Sequence, residues 1–538
     1  MSLFVSRLLF RGELVLWSSL LLLCACAPVD RWQVFDASNT GSELPAAPAV
    51  IDSRPELPKP ILPATIDDVD VPQQLSLEQA VLLALHNNRD LRVRQFEPVI
   101  SGTFEKIERG RFDPELFAEM EYFKEESSET SRSTGEQFGV LAKENTELAG
   151  IRQYLPTGTA LEAFVEHQRN NSNRAPEQQE ARLGLTVTQS LLRGFGPTVN
   201  LASVRRAELD SLASADELRG FTESLLAETE IAYWRYVLAG REIEIFEESL
   251  DVARKQLEEV EVRIEVGILP DIEAAAARTE RALTEQALIN ARSLLEERRL
   301  RLLWLISPDP SAGFDRPFIA DSELMIGAEP ITDLEKRLLL AEKSRADLSE
   351  ARRRLQQNRL ETVVTRNGVL PRLELFIALG KTGYAESFSK AFRELDGNTY
   401  DYSVGLRLSH YLGNRSAEAR RLAASAQRSQ ASEAVINLSH LIQLDVRLAV
   451  NEVERTRQQI AASRATRTFQ EQTLAAERER FDVGASTALE VALAQRDLLK
   501  SRIVEIESIV NFRTALIELY LAEGSLLARR GISLAETL

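Results

Sequence analysis

VGILPDIEAAAARTE (266–280) and VGASTALEVALAQRD (483–497) are two copies of one phrase. Val266/Val483, Gly267/Gly484, Ile272/Leu489, Glu273/Glu490, Ala277/Ala494 and Glu280/Asp497 align at one offset, 484 − 267 = 217. Self-similarity at a fixed spacing reports the architecture before any local pattern does. Working outward, LALHNNRDL (83–91) aligns with LAEKSRADL (340–348) at an offset of 257, which still holds where Pro114 meets Pro371. Further on, Gly184-Leu185 aligns with Gly405-Leu406 and Leu191 with Leu412, at an offset of 221. The first copy therefore carries 257 − 221 = 36 extra residues between Pro114 and Gly184. The chain reads as two tandem helix–strands–helix–turn–helix units, repeat 1 over 75–306 and repeat 2 over 331–530.

Each copy contains a long stretch without proline, Asn200–Val266 and Ser416–Val483. As helices these run about 100 Å at 1.5 Å per residue. That is far beyond a globular helix, so they must pack side by side. Leu225, Thr229, Ala232, Tyr236, Ala239, Ile243, Phe246, Leu250, Ala253, Leu257, Val260 and Ile264 follow alternating steps of four and three, the period of left-handed supercoiling. In copy two Ile442, Val446, Ala449, Val453, Thr456 and Ile460 repeat the spacing and the phase. Shorter helices are expected at 75–110, 271–306, 331–368 and 488–526, antiparallel to the long ones, with the Pro/Gly-rich 307–330 segment as a belt halfway along.

Between the helices the period changes to two. Tyr400, Tyr402, Val404, Leu406 and Leu408 alternate with polar residues or glycine, and Leu373, Leu375, Ile377 and Leu379 open the matching strand. Strands are expected over 114–190 and 371–412, with Thr157-Gly158 as a hairpin turn inside the 36-residue excess. Such alternation is the pattern of a membrane strand with one face to lipid and one to a lumen. Four to six strands cannot close a membrane barrel, whose minimum is about eight, and an open edge is not tolerated in hydrocarbon. Closure must then cross subunits. Three chains of four strands give twelve, or more if the extra hairpin joins.

Arg7 and Arg11 precede an apolar run from Leu14 to Leu23, shorter than the roughly 20 residues of a membrane span. Residues 1–25 read as a signal peptide and the Leu-Cys-Ala-Cys box makes Cys26 the candidate lipidated residue. Residues 26–74, rich in proline, read as an extended tether. The net charge of −17 argues against nucleic acid. The four histidines are scattered and no nucleophile–base signature occurs, so neither a metal, a cofactor nor an enzyme is expected.

The twin V-G-x5-[DE] turns, the phrase LTVTQSLLRGFG (185–196) and the repeated unit resemble the TolC family of outer membrane efflux proteins. The resemblance implies a mainly α fold with a membrane β-barrel: a homotrimer whose outer membrane barrel continues into a long periplasmic α-helical barrel. It implies a passive exit duct for a tripartite pump or type I secretion, partnered by a periplasmic adaptor and an inner-membrane transporter. The turns would form the periplasmic tips, with Val266, Gly267, Asp271, Glu273, Val483, Gly484 and Glu490 docking the adaptor. Glu490 and Leu493 would line the aperture. Against this stand plainer readings: the glycines as helix C-caps, the acids as first-turn dipole partners, and the chain as a lipid-anchored coiled-coil scaffold without a pore.

Overall fold

The computed structural model describes residues 73–307, 317–321 and 333–532, all within one compact unit, Ile61–Leu538. The signal 1–25, Cys26, the tether as far as residue 72 and most of the 307–330 belt lie outside the described residues. In copy one the elements are β1 (Gln73–Leu75), α1 (Leu77–Asn87), α2 (Arg89–Gly110), β2 (Glu115–Thr130), β3 (Gln137–Leu155), β4 (Thr159–Ser172), β5 (Ala175–Ser190), α3 (Pro197–Asn200), α4 (Ala202–Glu265) and α5 (Glu273–Ile306). After β6 (Phe318–Ala320), copy two runs α6 (Leu334–Ser344), α7 (Ala346–Gly368), β7 (Arg372–Ala385), α8 (Phe388–Arg393), β8 (Tyr400–Ser409), α9 (Arg415–Asp482), α10 (Ala488–Ala522) and α11 (Leu526–Arg529).

The long helices α4 and α9 span 64 and 68 residues. Eight of the twelve seam positions on α4 are buried and the other four half-buried; on α9 only Ala449 of the six is less than buried. Two corrections fall on the shorter helices. Those expected over 75–110 and 331–368 each break once, at Asn88 and Arg345, residues related by the same offset, 345 − 88 = 257. Both have extended ψ, 122° and 123°. Asn88 caps the following helix, its Oδ1 accepting from the Leu91 N–H at 3.0 Å. In copy two the Asp347 carboxylate instead grips the Arg345 guanidinium at 2.7 Å. The helix expected over 488–526 stops at Ala522, and Gly524 turns the chain with φ +63°.

A core at mid-length gathers both chain ends of the described unit. The Tyr233 hydroxyl donates to the Leu75 carbonyl at 2.9 Å and that of Tyr236 to Phe318 at 2.7 Å, pinning the parallel β1–β6 pair to α4. Leu526 and Leu527 of α11 pack into the same core. Nearer the sheet, Glu223 is pushed up to about 7, chiefly by burial, with Arg219 and Arg345 opposing. A raised acid binds its proton more tightly folded than unfolded, so this group makes stability fall as pH rises from 4.5 to about 7. Glu223→Gln is expected to remove that decline, read from unfolding midpoints at about pH 5 and pH 8.

The six larger strands form one sheet in the order β2-β3-β4-β5-β7-β8, every neighbour antiparallel. The 36-residue excess of copy one contributes the β3–β4 hairpin, and the helix α8 bridges β7 and β8. The hairpin turns at Pro156–Gly158, where Gly158 has φ +86° and an added Cβ would lie 2.3 Å from the Gly194 carbonyl oxygen. Asn200 ties that turn to the start of the long helix. Its Nδ2 lies 3.0 Å from Pro156 O and 2.8 Å from Gly194 O, and its Oδ1 accepts from the Tyr154 hydroxyl at 3.2 Å. Asn200→Leu leaves these part-buried groups without that partner, at about 1 kcal/mol each. The expected outcome is a lower thermal midpoint and new protease cleavage at 156–158.

Candidate functional site

Both ends of the chain's long axis carry functional candidates, and the turns come first. At Val266 and Val483 the helices α4 and α9 run out and the chain reverses through Gly267 and Gly484, at φ +80° and +77°. Both turns are Schellman caps: Ile268 N–H donates to Arg263 O at 2.8 Å and Gly267 N–H to Ile264 O at 2.9 Å. In copy two Ala485 N–H reaches Arg480 O at 2.7 Å and Gly484 N–H reaches Phe481 O at 3.0 Å. The cap alone explains glycine at these positions. It leaves unexplained the space beyond: an added Cβ at either residue meets nothing within 4 Å.

The two turns then diverge. Thr487 and Glu490 form a capping box, with Glu490 N–H donating to Thr487 Oγ1 at 3.3 Å and Thr487 N–H to Glu490 Oε2 at 3.2 Å. The Ser486 hydroxyl donates to the same carboxylate at 2.6 Å. That bond first, and the Thr487 N–H second, hold Glu490 below the usual carboxylate range. Helix α5 has no side-chain cap of its own. Its first residue, Glu273, instead accepts from the Ala488 N–H at 2.9 Å, so the acid of one turn caps the helix of the other. Arg263 adds a second link, 2.7 Å from Asp482 and stacked over Phe481.

Around this joint Val260, Ala274, Ala277, Phe481, Val491 and Ala494 bury one another. The solvent side is the opposite. Val266, Ile268, Ile272 and Val483 are 64–79% exposed, and Leu489 and Leu493 also lie open. The expected tip residues are thus brought together, with Asp271 exposed among them. No pattern in the sequence marks the ties through Arg263, Asp482 and Ser486. The capping box was readable from T-x-x-E at 487–490, but nothing local marks a bond between turns 215 residues apart.

At the other end the register sorts the sheet into two faces. Leu116, Ile151, Ala163, Leu185, Leu379 and Tyr402 are successive cross-strand partners, an unbroken apolar row over six strands. One residue away, on the opposite face, the row is Phe117, Gly150, Phe164, Gly184, Gly380 and Asp401. Phenylalanine rings lie over the neighbouring glycines there, and Gly380 leaves room for Arg182 to reach Asp401 at 2.7 Å. That second face also carries Glu119, Glu121, Glu144, Glu162 and Glu166. One face suits hydrocarbon and the other suits water.

Residues 149–306 and 338–525 match the outer membrane efflux protein family. The chain belongs to that family. No curated protein matches it. Among solved structures it is similar to the outer-membrane channel OprN, with TM-score 0.62, 17% identity and coverage of 84% of this chain and 90% of that one. It is also similar to the Campylobacter jejuni CmeC outer membrane channel (TM-score 0.61, 15% identity, 90% and 94% covered). A third is the open state of the Neisseria gonorrhoeae MtrE outer membrane channel (TM-score 0.58, 18% identity, 84% and 89% covered). As an outer membrane efflux protein the chain forms an outer membrane channel that extends into the periplasm. Among the described residues no helix is long and apolar enough to cross a membrane, and no cluster of acids, histidines or cysteines could hold a metal.

Proposed function

We propose that the protein is the exit duct of a tripartite export assembly, working as a homotrimer docked to a periplasmic adaptor and an inner-membrane transporter. One observation carries closure between copies: a sheet with a continuous apolar face whose end strands, β2 and β8, have no further partner among the described strands; three is the copy number that the resemblance to the TolC family implies. In hydrocarbon every backbone group must be paired, so such edges have to meet those of other copies. β2 runs away from the helices and β8 back toward them, so β8 of one copy beside β2 of the next continues the antiparallel order.

The exposed apolar residues at the turns support adaptor docking, since an open patch rimmed by charge suits a partner surface. Glu490, held ionised by its cap, would sit with Leu493 at the aperture, and the acidic inner face of the barrel would favour cations. The purified protein is expected to be a detergent-stable trimer that conducts ions in planar bilayers, with cations carrying most of the current. A protein that stays non-conducting and leaves the membrane once its lipid anchor is removed would instead be a scaffold.

A further inference from the structure

Three copies of four strands make a twelve-stranded barrel; this chain supplies six. We propose that the β3–β4 hairpin is wall rather than loop, so that the trimer closes an eighteen-stranded barrel whose outer mouth is much wider than a twelve-stranded one. The proposal rests on the trimeric duct reading and adds the size of the opening.

Four features place the hairpin in the wall. Its strands are bonded on both sides, β3 to β2 and β4 to β5, over 16 residues in the first case. As a flap outside the wall they would break both ladders and leave the edges of β2 and β5 to pair with each other in hydrocarbon. Its outward residues continue the apolar face, Ile151 between Leu116 and Ala163, and Val165 beside Leu183. Its inward residues continue the wet face, where the Phe117 ring covers Gly150 and the Phe164 ring covers Gly184 just as Phe376 covers Gly405. Its turn is fastened to the helical part by Asn200 and packs so closely that a Cβ added at Gly158 would meet the Gly194 carbonyl oxygen.

The apolar segments also climb from strand to strand. On β8 they run over Tyr400–Leu408, whereas on β2 they begin at Leu116 and reach Tyr122, whose level on β4 is already polar at Arg169. A level membrane band crossing paired strands in this slanting way requires tilted strands, as in a closed barrel. The hairpin lies within that slant, not outside it. Diameter grows roughly linearly with strand number, so six strands per copy give roughly 1.5 times the width of four. Barrels of 16–18 strands leave an aqueous channel. The narrow point of this duct is then the helical part and its tips, and the mouth would pass bulky hydrated cargo unhindered.

Two measurements test this on the trimer. In a variant lacking residues 137–174, β2 would turn directly into β5, leaving four strands. Neutral polyethylene glycols of graded size, added from the extracellular side in planar bilayers, should enter the full chain up to a radius roughly 1.5 times the variant's limit. Equal limits in two assembled trimers would overturn the proposal. Should the variant not assemble, the full chain decides alone. Single cysteines at Phe164 and Glu166 should react with a membrane-impermeant maleimide, and those at Ala163 and Val165 should not. Labelling of all four would place the hairpin in water, as a flap or plug, and overturn it. Absence of any trimer from the full chain would instead remove the duct reading beneath it.

Discussion

Arg530→Ala is expected to lower stability by about 3 kcal/mol, among the largest effects of any single truncation in the helical part. Glu230 on α4 is fully buried, with 0% exposure. Arg530 reaches both of its oxygens at 2.6 Å, through Nε and Nη2. A bidentate fork of this kind fixes direction as well as charge. Removing the guanidinium takes the bidentate partner from a carboxylate in a core built from Tyr233, Trp234, Leu526 and Leu527. The low end of the range for broken buried pairs applies, because Arg530 itself is 39% exposed and water can partly replace it. The pair is not a net gain over apolar packing, however. Glu230→Leu with Arg530→Met should recover most of the loss, since an isosteric apolar pair avoids the desolvation cost. Denaturant or thermal midpoints of the four proteins of the cycle measure this. A single variant within about 0.5 kcal/mol of the parent would mean that the α11 segment does not close the core.

That pair also marks where the sequence stops being readable. Glu230 and Arg530 are 300 residues apart, and neither stands out among the chain's many acids and arginines. The same holds for Glu273 and Ala488. Periodic features were legible: the seam from Leu225 to Ile264, the strand Tyr400–Leu408 and the twin glycines all repeat a spacing that burial or turn geometry demands. The break at Asn88 carried a capping signal, but its counterpart at Arg345 did not, because there the job falls to a neighbouring carboxylate. The sequence does not decide the strand count for a similar reason. Along β3 the outward row runs Leu155, Gln153, Ile151, Ala149, Glu147, and its polar members blur the alternation that β8 shows cleanly. Only pairing with β2 and β4 reveals which face those residues occupy.

At the tips the expected result is loss of export without loss of the trimer. Gly267→Leu and Gly484→Leu each force a side chain into the left-handed region, costing about 1–2 kcal/mol. That is small beside the contacts that hold the turns together, and the added atoms find open space. Assembly should therefore survive. If a partner covers that space, the leucine must collide with it, and affinity should fall at least tenfold. Proline is a harsher test, since Gly484→Pro also deletes the N–H that donates to Phe481 and cannot adopt a positive φ. It should abolish export, and loss of the trimer as well would make the turn structural. Strain and collision are separated by asparagine, which tolerates the left-handed conformation yet still adds bulk. Gly267→Asn and Gly484→Asn should leave unfolding midpoints close to the parent while disrupting a docked partner. Complementation of compound sensitivity in cells lacking the chain reads export, and crosslinking from Ile268→Cys reads contact. Export retained by the asparagine variants but lost by leucine would assign these glycines to the backbone turn alone. Loss in both, with trimers intact, would assign them to the docking surface. Copy one should be the more sensitive of the two, because its turn presents Val266, Ile268 and Ile272 together, whereas copy two spends Ser486, Thr487 and Glu490 on its own cap.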